Sequence, residues 1–183
     1  MKWICVLPIG DIDRDLLEAV CGVIRHAFGR RTRTLDKQAD PGFAYDSSRE
    51  QYLSLSILKK ILECIDEEAE KILGVVDVDI FVPVLRFVFG QAQLDGRAAL
   101  VSVSRLKQEF YGLPEDRELL LLRARKEAVH ELGHTYGLVH CKNTKCVMHY
   151  SNSLREVDSR PLDFCPGCSA LLSEKMHTSE GTP

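Results

Sequence analysis

Apolar residues recur along this chain with two different periods, and the changes between them mark its elements. Residues 3–7 are continuously apolar and predict a first strand. Over 12–29, Leu16, Leu17, Val20, Val23, Ile24, Ala27 and Phe28 fall at helical spacing, so an amphipathic helix is expected. Residues 32–38 read as a second strand, closed by a turn at Pro41-Gly42. From 54 to 73, Leu58, Ile61, Leu62 and Ile65 repeat at three and four residues, which predicts one long helix with Gly74 as its stop. Three apolar runs follow as strands, 76–82, 86–94 and 98–104, with Asp95-Gly96 as a turn signal. A long helix is predicted from Glu115, just after Pro114, to Tyr136; its apolar stretch 119–122 makes it central. This mixture predicts an α+β domain to about residue 137. A small irregular subdomain over about 138–177 and a polar, disordered tail at 178–183 complete the expected layout.

Composition narrows the classes. At 183 residues the chain fits one domain, 1–183, with room for a real core. The net charge of −3 leaves no strong field for nucleic acid or membrane, so neither is expected as a partner. Arg30, Arg31 and Arg33 read as a solvated helix end. No run approaches the roughly 20 apolar residues of a membrane span. The N-terminal apolar stretch stops at Pro8, too short for a secretion signal, and nothing ahead of the long helix reads as an inhibitory pro-segment. A cytoplasmic monomer is expected.

The strongest pattern is His130-Glu131-x-x-His134-x-x-Gly137-x-x-His140. On a helix, His130 and His134 lie about 40° apart and one turn along, so both imidazoles can reach one zinc ion with Glu131 beside it. A continuous helix would carry His140 roughly 15 Å from His130 at 1.5 Å per residue. Gly137 can take the left-handed conformation that ends a helix, and three residues then bring His140 back over the metal.

Seven cysteines, an odd number, argue against a complete disulfide framework. Cys5, Cys21 and Cys64 sit among apolar neighbours and read as reduced core residues. Cys141-x4-Cys146 and Cys165-x2-Cys168 form a two-plus-two set at zinc-site spacing, with Pro166 and Gly167 suiting a tight turn. Two disulfides are the competing arrangement. A zinc there would tie the segment carrying His140 to the C-terminal end.

From His130 through Cys168 the chain resembles the archaemetzincins, a branch of the metzincin metallopeptidases. The resemblance rests on the H-E-x-x-H-x-x-G-x-x-H core, Cys141 directly after the third histidine, Cys146, Met148 and the Cys165-x-x-Cys168 pair. Tyr45-Asp46-Ser47-Ser48-Arg49 and Phe87-Val88-Phe89-Gly90-Gln91-Ala92 are similar to family segments too. It implies a zincin-like catalytic domain with a mixed sheet and a central active-site helix, and a peptide or protein substrate. It also implies two zinc ions per chain: one catalytic on His130, His134 and His140, one structural on Cys141, Cys146, Cys165 and Cys168. Met148 would be the Met-turn floor below the histidines, although a methionine there is also ordinary core. Tyr150, two residues on, is similar to a tyrosine that approaches zinc in astacin-type metzincins; a packed or surface tyrosine is the default.

Three neutral histidines would leave zinc an open position for water, with Glu131 as general base and later proton donor to the leaving amine. Residues 87–92 resemble the edge strand along which metzincins lay an extended peptide, an interior strand being the other reading. His26 and His177 read as surface or packing residues. The same centre could hydrolyse a non-peptide amide. A zinc-stabilised peptide-binding module without turnover is the rival from outside the enzymes, and the retained Glu131 argues against it.

Overall fold

A computed structural model describes residues 3–36, 38 and 40–178. Its centre is a five-stranded sheet in the order β2-β1-β5-β8-β7. These strands are β1 (Trp3–Ile9), β2 (Arg31–Thr34), β5 (Ala69–Val76), β7 (Gly90–Ala92) and β8 (Ala98–Ser102). Four run parallel, and β7 closes one edge antiparallel to β8. A smaller sheet joins β3 (Tyr45–Asp46), β4 (Gln51–Leu53) and β6 (Ile80–Phe81).

Strand side chains alternate between faces, so each central strand feeds two cores. Ile4, Val6, Leu73, Val75, Ala99 and Val101 pack under α1 (Arg14–Phe28) and α3 (Arg117–Thr135). Cys5, Leu7, Ile72, Val76, Ala98 and Leu100 pack on the opposite face against Ile57, Leu58 and Ile61 of α2 (Ser54–Glu63). The expected mixed sheet and central helix are therefore present.

The long helix expected over 54–73 is not. It stops at Glu63, with Cys64 as its cap, and residues 69–76 form the central strand β5. Ala69 N–H donates to Asp66 Oδ1 in the turn between them. A strand buried on both faces has no period-two alternation, so its apolar run reads equally well as helix. Gly74 is no helix stop: it lies in β5, where an added Cβ would stand 2.3 Å from Ile61 Cδ1. The strand expected at 76–82 shrinks to β6, and the strand at 86–94 to β7. Arg31 and Arg33 lie on the edge strand β2, not on a helix end; Arg30 pairs with Glu70 and Arg33 with Asp66 and Glu68.

Beyond α3 the chain carries two helices that the periodicity did not reveal, α4 (Leu154–Ser159) and α5 (Pro166–Thr178). Of the expected tail 178–183, Thr178 closes α5 and the remainder lies outside the described residues.

Candidate metal centre and active site

Asp116 caps α3, its side chain accepting from the Leu119 N–H, and the helix delivers His130, Glu131 and His134 from its last two turns. The expected reversal follows. Gly137 has φ 84°, its N–H donates to the His134 carbonyl, and the Leu138 N–H donates to the Gly133 carbonyl. This pair of bonds is a Schellman-type ending. Asp95 N–H adds a second donor to the His134 carbonyl, and Lys71 Nζ, reaching up from β5, donates to that of Thr135.

After the reversal His140 faces the other two imidazoles. Ring centroids lie 4.7 Å apart for His130–His134, 5.3 Å for His130–His140 and 4.8 Å for His134–His140. One nitrogen from each ring falls within 4.8 Å of the others, so the three can hold one metal ion. Burial holds all three imidazoles below their ordinary range, which keeps them neutral as ligands must be. The outer nitrogens are fixed: His130 Nδ1 is 2.8 Å from the Val147 carbonyl and His134 Nδ1 is 2.7 Å from that of Leu138.

Glu131 is buried beside them, and desolvation pushes its carboxyl well above the usual range. It presses on the edge strand: a Cβ on Gly90 would stand 2.6 Å from its Cγ and 2.7 Å from its Cδ and Oε1. Met148 is fully buried beneath the same helix, against Gly133, where an added Cβ would stand 2.5 Å from the Met148 sulfur. Tyr150 is exposed, its ring 4.8 Å from that of His140. All three histidines and Glu131 line a cavity of about 540 Å³, bounded by Phe89, Gly90 and Gln91 on one side and Tyr150, Ser151 and Asn152 on the other.

The four cysteines meet as a second group. Their sulfurs lie within 4.8 Å of one another, Cys141 and Cys165 at 3.8 Å, and all are free thiols. The two-disulfide alternative is absent. Pro166 and Gly167 form the first turn of α5 instead of a free tight turn, which suits a proline, because the first helical position needs no N–H donor. The Cys168 N–H at that turn draws the Cys165 thiol down to about 7. Cys141 N–H donates to the Met148 carbonyl, so this cluster and the histidine centre share one loop. Cys5 and Cys21 are core residues as expected, and Cys64 is half-buried.

The sequence profile described as peptidase family M54 matches residues 35–174, which include every residue of both clusters. The chain belongs to peptidase family M54. It is 42% identical over 172 residues to the archaemetzincin of Methanocaldococcus jannaschii, covering 94% of this chain and 93% of that one. The M54 fold recurs in the crystal structure of archaemetzincin from Methanopyrus kandleri, with a TM-score of 0.84 at 35% identity over 96% of each chain. A zinc-dependent peptidase from Methanocorpusculum labreanum gives 0.84 at 30% identity, over 92% of this chain and 99% of that one. As an M54 member the chain is a zinc metallopeptidase.

Sequence reasoning missed two parts of this M54 site. Glu127 and Arg160 form a buried ion pair, Nη2 to Oε1 2.5 Å, behind His130. Glu127 precedes His130 by three residues on the same helix face, a signal that was available; Arg160 stands alone in α4's wake with none. Arg49, in a segment noted only for its resemblance, donates to the carbonyls of Leu85 and Arg86 and so holds one wall of the cavity.

Proposed function

We propose that this chain hydrolyses a peptide bond in a substrate laid against β7, using a zinc ion held by His130, His134 and His140, with Glu131 as general base. The observation that carries this reading is the convergence of three neutral imidazoles on one point beside a buried carboxyl, at the wall of an open cavity. The donor set fits zinc: three imidazoles at these spacings leave a fourth position open, the hallmark of a catalytic site. Zinc bound there supplies Lewis acidity and an activated water.

The remaining work falls to the protein. Glu131 lies between the histidines and the strand edge, so its carboxylate can take the proton of the attacking water and return it to the departing amine. Burial raises its affinity for protons, the direction that favours taking one from water. Gly90, Gln91 and Ala92 form the open edge of the sheet, where an extended peptide can add main-chain hydrogen bonds. Leu85, Val88, Phe89, Leu94 and Val139 give the cavity an apolar wall for substrate side chains.

We further propose a second zinc on Cys141, Cys146, Cys165 and Cys168, closed by four thiolates and structural. Among the described residues no helix is long and apolar enough to cross a membrane. The decisive experiment is Glu131→Gln. Peptide cleavage is expected to collapse while zinc stays at about two per chain; undiminished cleavage would discard the assigned base. Zinc content near one per chain in the unaltered protein would remove one of the two sites.

A further inference from the structure

Besides the histidines, the charged side chains lining the cavity are Arg86, Glu127, Glu131 and Arg160. Three of them are buried and already engaged. Glu127 and Arg160 neutralise each other, and Glu131 is packed on Gly90. Arg86 is the exception. It is exposed, and among the described residues its guanidinium has neither a hydrogen bond nor an ion pair. The backbone beneath it is fixed, its carbonyl accepting from Gln51 Nε2 at 2.9 Å and from Arg49 Nη2 at 3.1 Å. Asp79, bound to the same Gln51 at 2.9 Å, is taken by Arg105 at 2.5 and 2.7 Å. The carboxylate of this wall is therefore used, and Arg49 brings a second cation to the corner where Arg86 stands.

Position along the edge strand gives the charge a meaning. Gly90, against Glu131, marks the place of the reaction on β7. Arg86 precedes Gly90 by four residues, at most about 13 Å at roughly 3.3 Å per residue. Leu94 follows Gly90 by four, and Val139 leads into His140; both are exposed, apolar and part of the cavity wall. The facing side, Tyr150, Ser151 and Asn152, carries no charge. An extended peptide on this edge runs from a cationic end to an apolar one. Its residues advance by the same rise, so the one that meets Arg86 lies about two to four residues from the scissile bond.

We propose that Arg86 is a specificity-determining residue that binds a carboxylate of the substrate, on one side of the scissile bond. The inference rests on the reading of this cavity as the peptide-cleaving site, and it names the substrate class. That class is peptides with an acidic group towards Arg86 and an apolar side chain towards Leu94 and Val139. A guanidinium presents paired N–H donors in one plane, matching both oxygens of a carboxylate. An Asp or Glu side chain and a C-terminal carboxylate offer this same chemistry. Because Arg86 is open to solvent, the discrimination is modest, about three- to five-fold, and weakens with salt.

Position-scanned peptides test this on the zinc-loaded protein, with Glu set against Gln at each place and a free C-terminus against its amide. Glu is expected to raise kcat/KM about three- to five-fold, through KM, on one side of the cut only. The preference should fade in high salt. In Arg86→Gln the Glu-to-Gln ratio is expected to be about one throughout, and in Arg86→Glu the preference should turn to Lys. A gain with the free C-terminus alone assigns the terminal carboxylate; a gain with internal Glu assigns the side chain. No charge preference in the wild type, or one that survives in Arg86→Gln, overturns the proposal. Binding separates this from turnover. In Glu131→Gln, fluorescence anisotropy of labelled peptides is expected to give the same Glu-to-Gln ratio, and adding Arg86→Gln should erase it. If no peptide is cut but this ratio appears, the hydrolytic reading fails and the carboxylate site stands. If binding shows no such ratio, the proposal fails whatever is cut.

Discussion

Gly90 and Gly133 are defined by what occupies the space a side chain would need. At Gly90 that space holds the Glu131 carboxyl, and at Gly133 the Met148 sulfur. Gly90→Ala must push Glu131 from its place beside the histidines. A catalytic group misplaced by about 1 Å can cost about 100-fold, so kcat/KM for a peptide substrate is expected to fall by about 10–100-fold. The circular dichroism spectrum should stay unchanged, because the substitution touches an edge strand; unimpaired turnover would show that Glu131 has slack. Gly133→Ala acts on packing instead, and a urea titration should record a loss of about 1–3 kcal/mol, the usual cost of overfilling a core. The histidines set a pH dependence. Burial keeps all three below their ordinary range in the metal-free fold, so the unfolded chain binds more protons as pH falls through about 6.5. Their contribution to stability is complete above that value and is lost going down. The urea midpoint of the metal-free protein is expected to drop between about pH 7 and about pH 5. A flat midpoint would mean the rings are freely solvated.

At the scale of elements, the end of α3 is where sequence and structure agree most closely. The ligand spacing demanded a break, only Gly137 could supply it, and its φ of 84° is the conformation required. Gly137→Ala forces an L side chain into that region, at a cost of about 1 kcal/mol or more. The larger effect is on His140, which the turn aims. Zinc content after mild chelation is expected to fall from about two to about one per chain, with the cysteine site still filled; retention of both ions would show that the turn does not position the ligand. The α2–β5 region was illegible for a physical reason. Residues 58–73 show helical spacing at first and then a strand buried on both faces, and the break at Cys64–Asp66 carries neither glycine nor proline. Helix α5 was hidden because it is almost wholly exposed, with Leu172 its one buried residue among those described. The wall held by Arg49 gives a further test at this scale. Arg49→Ala frees the Leu85 carbonyl and leaves that of Arg86 to Gln51 alone, and it is expected to raise KM several-fold with kcat little changed. A fall in kcat alone would place the wall in the chemistry instead of in binding.

Over the whole molecule, the sheet carries a core on each face, while the histidine centre is completed by the segment after Gly137. Both cysteine pairs were readable from spacing, and so was the tie a zinc there would make between the His140 segment and the C-terminal end; the backbone bond that adds to it was not. Cys141 is the residue after His140, and its backbone is bonded to Met148. The histidine centre and the cysteine cluster therefore share one loop, and a change at the cysteines reaches His140 through it. The consequence reaches back to how the molecule is made. If the four cysteines hold the zinc proposed above, the residue next to His140 is anchored only once the start of α5 has been made, because Cys165 and Cys168 lie there.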